Sequence, residues 1–169
     1  MPIRRPPRPI RRRAAFTLVE VMVVVVVIGL LAVMATQAIQ KVQTNSRSSR
    51  VANDFRVFAT AFTAYAQQFG TFPPTTLPGA IPAGMNQYLG TTNWKSPSAI
   101  GGYYFWVSNI TFGSTHYNGV ILIFSYNNSN LTTDTGQLTD IDKKIDDGDL
   151  SKGNFFMPTS SYVVYVVDK

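Results

Sequence analysis

The chain has 169 residues, a formal net charge of +6 and no cysteine. A disulfide framework, a thiolate nucleophile and a cysteine-based metal site are therefore excluded. The positive charge does not indicate a nucleic-acid-binding surface, because six arginines precede residue 16 and the other basic and acidic residues, nine of each, cancel. We therefore predict a short basic leader over residues 1–15 and no nucleic-acid partner.

An apolar run extends from Phe16 to Ala35 and contains only two polar residues, Thr17 and Glu20. Twenty residues of helix span about 30 Å, the thickness of a bilayer's hydrocarbon core. The upstream arginines hold the amino end in the cytoplasm by the positive-inside rule. The sequence thus predicts a single transmembrane segment over residues 16–36, with every later residue on the outer side of the membrane.

A removed secretory signal is the alternative interpretation of this run, with cleavage after Ala35. Two features count against a signal. Glu20 places a charge inside the apolar stretch, and the stretch is longer than the roughly 7–15 apolar residues of a signal peptide.

Large apolar residues then recur at alternating steps of three and four. They are Val51, Phe55, Phe58, Phe62, Tyr65 and Phe69. This spacing predicts an amphipathic helix over residues 37–70 whose apolar stripe packs on a domain. Gly70 is expected to end the helix, and the following prolines prevent its resumption. One continuous helix from about residue 16 to 69 is therefore predicted.

The rest of the chain, residues 71–169, predicts a small head domain. A connection rich in glycine and proline leads to runs of aromatic and β-branched residues that are typical of strands. These runs are Tyr103–Ser108, Val120–Tyr126 and Ser161–Val167. Gly113 and the Asn118–Gly119 pair predict a hairpin turn between the first two, and a short helix is expected over Gly136–Asp147. The fold class is α+β, with a small antiparallel sheet packed on the outer half of the long helix.

The stretch AFTLVEVMVVVVVIGLLAVMA resembles the amino-terminal segment of type IV prepilins and of the pseudopilins of type II secretion systems. In that family a membrane-embedded peptidase removes a basic leader before a phenylalanine and methylates the new amine. The mature chain then carries a glutamate at its fifth position. The matching processing site is Ala15 and Phe16, and the matching glutamate is Glu20. The family has a glycine where this chain has Ala15.

The resemblance implies a pilin-like fold and a structural subunit that is not an enzyme and needs no cofactor. The implied partners are the prepilin peptidase, other pilin or pseudopilin subunits, the inner-membrane assembly platform and the lipid bilayer. Glu20 would pair with the methylated amine of Phe16 in a neighbouring subunit. The chain would be stored in the inner membrane with a periplasmic head and would leave it as a filament.

Two questions stay open at this point. The resemblance covers both type IV pili and secretion pseudopili, so the kind of filament is undecided. A different class of function is a membrane-anchored or secreted periplasmic domain with its own ligand or enzymatic activity, for which the helix is only an anchor or signal.

An acidic cluster in and just after the predicted short helix could bind calcium; its members are Asp140, Asp142, Asp146, Asp147 and Asp149. The candidate ligands among them are Asp146, Asp147 and Asp149. Some pseudopilins bind calcium in this part of the fold. The spacing lacks the full EF-hand pattern, and a solvated helix end with an Asp–Gly turn is the alternative. His116, the only histidine, is expected to be a surface residue.

Overall fold

The computed structural model describes residues 17–169, so Ala15 and Phe16 lie outside the described residues. The chain forms two compact units, of which the first ends at Gln40 and the second comprises Lys41–Lys169. Helix α1, Leu18–Phe69, contributes residues to both. In the first unit all described residues are exposed, and α1 includes an apolar window of 18 residues that is long enough to cross a membrane.

The second unit contains the end of α1, two further helices and four strands. In chain order these are α2 (Asn86–Leu89), β1 (Tyr103–Phe112), β2 (Thr115–Phe124), α3 (Thr135–Ile145), β3 (Phe155–Thr159) and β4 (Tyr162–Asp168). The strands form one antiparallel sheet in the order β1-β2-β4-β3. The predicted fold class, a long helix with a small antiparallel sheet, is confirmed.

Strand β3 was not among the predicted strands. Its sequence, Phe-Phe-Met-Pro-Thr, contains Pro158, and a proline argues against a strand in the middle of a sheet because it has no N–H to donate. The structure places β3 at the edge of the sheet. A proline is tolerated there, since one side of an edge strand makes no ladder hydrogen bonds.

The apolar stripe of α1 supplies the centre of the main core. Val51, Phe55, Phe58 and Phe62 are fully buried. Tyr65 is partly buried, whereas Phe69 at the helix end remains 53% exposed. The side chains of the apolar stripe are therefore less buried towards the carboxyl end of the helix.

Aromatic contacts join this stripe to the sheet and to the preceding connection. The rings of Phe62 and Trp106 are stacked, with centroids 3.8 Å apart and planes 9° apart. Phe58 meets Trp94 and Tyr104 edge-on, with centroid distances of 4.9 Å and 4.7 Å. Edge-to-face and offset-stacked rings stabilise a core beyond the area that they bury, so these contacts fix how α1 lies on β1.

Gly70 ends α1 as the sequence predicts. Its φ of +72° lies in the left-handed region, where a glycine meets no steric penalty from a side chain. Its N–H donates to the carbonyl of Ala66 over 2.8 Å and satisfies one of the last carbonyls of the helix.

The irregular connection between α1 and β1 is held by two buried tryptophans. Trp94 donates its indole N–H to the carbonyl of Ala80, and Trp106 donates its own to the carbonyl of Pro73, each over 2.8 Å. A buried indole usually finds such a partner. Carbonyls of a segment without regular structure are thereby satisfied, and the segment is fixed to the core.

The predicted hairpin between β1 and β2 is present, but its turn is not at Asn118–Gly119. The strands meet at the pair Phe112↔Thr115, so the two turn residues are Gly113 and Ser114. Gly119 lies within β2, where an added Cβ would be only 2.3 Å from the ring of Trp106. The glycine is needed there because a large ring from the neighbouring strand occupies the space of a side chain.

Candidate functional site

Glu20 lies in the first turn of α1 and is exposed. Its N–H donates to the hydroxyl of Thr17 over 3.2 Å and to the carbonyl of the same residue over 3.1 Å. Thr17 therefore caps the helix, and Thr-x-x-Glu is the sequence of a capping box. The sequence analysis missed this signal, which can be read directly from the residue types and their spacing.

The carboxylate of Glu20 accepts no hydrogen bond from any residue in the range 17–169. A capping box has two reciprocal hydrogen bonds. The structure shows the one from the Glu20 N–H to the Thr17 hydroxyl and not the one to the Glu20 carboxylate, within residues 17–169. The carboxylate remains available to a group outside the described part of the chain. Ala15 and Phe16, the predicted processing site, belong to the undescribed part.

Asp54 is a second acid of α1, and it is buried against the connection and β1. One of its oxygens accepts from the hydroxyl of Tyr104 over 2.7 Å and from the side-chain amide of Asn93 over 2.9 Å. Burial, followed by the negative charge of Asp54, raises the pKa of Tyr104. Tyr104 therefore stays neutral and donates its hydroxyl hydrogen to Asp54. The hydrogen bonds of Asp54 with Tyr104 and Asn93 are thus a structural link between the helix and the head.

A cluster of three carboxylates lies at the end of α3. Oxygens of Asp142, Asp146 and Asp147 are all within 4.8 Å of one another. Asp142 is fully buried, and neither of its oxygens has a hydrogen-bond partner in residues 17–169. Because a buried carboxylate without a partner is strongly disfavoured, this residue requires an explanation.

Burial raises the pKa of Asp142 from 3.8 to about 6, and the neighbouring carboxylates of Asp146, Asp147 and Asp149 add to the rise. The nearby backbone N–H of Gly148 lowers this pKa in part. The site therefore disfavours the charged form of Asp142 unless positive charge is brought to it.

Two of the predicted calcium ligands, Asp146 and Asp147, belong to this cluster. Asp149 instead accepts from the N–H and hydroxyl of Ser151, over 3.1 Å and 2.6 Å. The Nζ atom of Lys152 lies 3.7 Å from Oδ2 of Asp147 and 3.4 Å from Oδ2 of Asp149. The sequence analysis counted Asp142 in the acidic cluster but not among the three candidate ligands. It is the most buried member, and its carboxylate has no hydrogen-bond partner within residues 17–169.

Comparisons with known proteins agree with this description. Residues 10–36 match the family model of the prokaryotic N-terminal methylation motif. Among solved structures, the chain is similar to the major type IV pilin PilA1 from Clostridium difficile, with 17% identity and a TM-score of 0.54 over 75% of this chain and 97% of that one. A search of curated proteins found no match.

The motif match contains Glu20 and the predicted processing site, Ala15 and Phe16, and the structural likeness covers three quarters of the chain. The chain thus carries the prokaryotic N-terminal methylation motif on the fold of a type IV pilin.

Proposed function

We propose that the chain is a membrane-stored prepilin-like subunit. After removal of residues 1–15 and methylation of Phe16 by a prepilin peptidase, it assembles through its amino-terminal helix into a type IV pilus-like filament or a type II secretion pseudopilus. Before assembly it is a single-pass protein of the inner membrane with its amino end in the cytoplasm and its head in the periplasm.

The observation that carries this proposal is the carboxylate of Glu20, which has no partner within residues 17–169, on an apolar helix segment whose side chains are exposed. The apolar residues of α1 from Leu18 to Val42 are exposed, so lipid or other helices must cover them. Lipid alone would leave Glu20 without a partner, and a charge in the apolar layer is disfavoured, by about 2.5 kcal/mol or more at the centre of a helix and by less in its first turn. The amine of a processed neighbour supplies the opposite charge within a bundle of helices.

An anchor that merely holds an active head in the membrane is the second class of function. The apolar surface would serve such an anchor, whereas a carboxylate within it would only disfavour insertion into lipid. The two classes also differ in covalent structure, because only the filament subunit must lose its leader before Phe16.

We expect membrane-extracted protein to begin at Phe16 and to carry a methyl group on its amine. Intact-mass and peptide mass spectrometry of the chain, produced with and without the peptidase, measure both changes. Ala15→Gly restores the residue that the family has at this place and is expected to be cut at least as fast as the natural chain. An intact chain in the presence of the peptidase, or a chain beginning at Thr36, would contradict the proposal.

We also propose that the acidic cluster of the head binds calcium. Calcium prefers carboxylate and carbonyl oxygens, and the cluster offers three carboxylates of which one is buried and unpaired. Asp142, Asp146 and Asp147 would hold the ion. A bound cation would give Asp142 the positive partner that the described residues do not provide.

Calcium is expected to raise the melting temperature of the fragment Lys41–Lys169 by about 4–10 °C at saturating concentration. Circular dichroism during heating, with calcium or with a chelator, measures the shift. Asp142→Asn should abolish the response and should stabilise the calcium-free fragment near neutral pH by about 1–3 kcal/mol, since it removes an unpaired buried charge.

The stabilisation by Asp142→Asn should disappear on acidification. Because the folded state holds the proton of Asp142 more tightly than the unfolded state, the stability of the natural fragment falls as the pH rises from about 4 to 6. Asp140→Asn on the same helix, outside the cluster, is the matched control. No shift with calcium, or an equal shift in the Asp142→Asn fragment, would remove this proposal.

A further inference from the structure

A cleft of about 500 Å³, lined by both polar and apolar groups, lies in the second unit between the segment that follows α1 and the sheet. Its volume falls in the range of sites for small molecules. Phe72 lines one part of the cleft, and Ser108, Asn109, Asn118 and Asp168 line another. Neither the leader, the apolar helix nor the acidic cluster includes these residues.

Strands β1, β2 and β4 are all irregular at the level of this cleft. Asn109 has a φ of +62°, although the pairs on either side of it, Ser108↔Gly119 and Ile110↔Tyr117, are regular. The register between β2 and β4 shifts between Gly119 and Val120. Irregularities of this kind redirect side chains and concentrate near functional sites.

Hydrogen bonds position the polar groups of the cleft. Asn118 donates its side-chain amide to the carboxylate of Asp168 over 2.8 Å. The N–H of Ser108 donates to the hydroxyl of Thr75 over 3.0 Å, which ties β1 to the connection after α1. Asn109 and Asn118 both line the cleft, and each side chain offers a carbonyl acceptor and an amide donor.

The chemistry of these residues selects a class of ligand. Among the described residues that line the cleft there is one carboxylate and no cationic side chain, so an anionic ligand is not matched. Two side-chain amides, a hydroxyl and a carboxylate suit a ligand whose groups both donate and accept hydrogen bonds, as sugar hydroxyls do. The partly buried ring of Phe72, packed on Trp106 at a centroid distance of 5.3 Å, offers a flat apolar surface for the C–H face of a sugar ring.

We propose that this cleft binds a neutral saccharide, with Asn109, Asn118 and Asp168 sharing its hydroxyl groups and Phe72 contacting its apolar face. The site lies wholly within Lys41–Lys169, so binding is expected both before and after assembly. Failure of filament formation would leave this binding unchanged, and loss of this binding would leave filament formation unchanged.

The test uses the full chain, purified in a detergent without a sugar headgroup and applied to an array of neutral, sialylated and sulfated oligosaccharides. We expect neutral glycans to bind in preference to the charged ones. Calorimetric titration with the best neutral glycan should then give an affinity that Asn118→Ala and Asp168→Ala each weaken by about tenfold. Asn53→Ala, an exposed asparagine of α1, is the matched control and should bind as the natural chain does.

Circular dichroism and thermal melting check that each variant is folded. Because Asp168 and Asn118 are exposed, their replacement is not expected to unfold the head. The absence of binding to every neutral glycan at millimolar concentration would overturn the proposal. So would a preference for charged glycans, or an affinity that the cleft variants and Asn53→Ala leave equally unchanged.

Discussion

Replacing Glu20 by leucine is expected to leave a stable membrane protein that does not assemble. In the proposed bundle of helices, the carboxylate of Glu20 and the amine of a neighbouring subunit would attract each other in a medium of low dielectric constant. Removal of one partner leaves the other charge buried, at a cost of about 3–5 kcal/mol per subunit. Electron microscopy of sheared filaments, together with membrane fractionation, measures assembly and stability separately.

The helix cap formed by Thr17 offers a competing explanation for any defect of the Glu20→Leu chain. Glu20→Gln distinguishes the two explanations, because glutamine can also complete a capping box but carries no charge. Thr17→Ala removes the observed cap and keeps the charge. Charge pairing requires that Glu20→Gln fails to assemble and that Thr17→Ala assembles. Normal filaments from both Glu20→Leu and Glu20→Gln would disprove the assigned role.

Phe62→Ala is expected to destabilise the second unit by about 3–5 kcal/mol. The ring of Phe62 is fully buried, is stacked on Trp106 and lies 5.4 Å from Trp94, so truncation leaves a cavity among rigid rings. Domains of this size are stable by only about 5–15 kcal/mol. Urea denaturation of the fragment Lys41–Lys169, which contains the whole main core, measures the loss.

Phe69→Ala is the matched control for this change, with the same truncation on the same stripe of α1. Because the side chain of Phe69 is 53% exposed, its removal should cost less than about 1 kcal/mol. Equal losses from the two variants would show that the core does not extend from the helix to the sheet as described.

The long helix could be predicted in detail because local patterns specify it. A continuous apolar run, steps of three and four between aromatic residues, and a glycine at the end are all properties of neighbouring residues. The strands that read as β-branched and aromatic runs were also found. Strand β3 was not, since whether Pro158 is acceptable depends on which strand lies at the edge of the sheet.

The acidic residues also divide into one that the sequence singles out and two whose surroundings only the fold determines. Glu20 is conspicuous in the sequence because it interrupts an apolar run. Asp54 and Asp142 look like ordinary polar positions of helices, yet the fold buries both. It gives Asp54 two donors and Asp142 none in residues 17–169. Burial and partners come from segments far away in the chain, so no local pattern reports them.

The sequence by itself determined the apolar segment with its one glutamate and the amphipathic helix that follows; the basic leader over residues 1–15 stays a prediction. These depend on composition and on short-range periodicity, which act within one segment. Only the tertiary structure decided that the ring of Trp106 occupies the space beside Gly119 and that Asp142 is buried next to Asp146 and Asp147. It also decided that Asn118 donates to Asp168 in the cleft lined by Phe72. Each of these depends on contacts between strands, helices and loops that are distant in the chain, and such contacts exist only once the chain has folded.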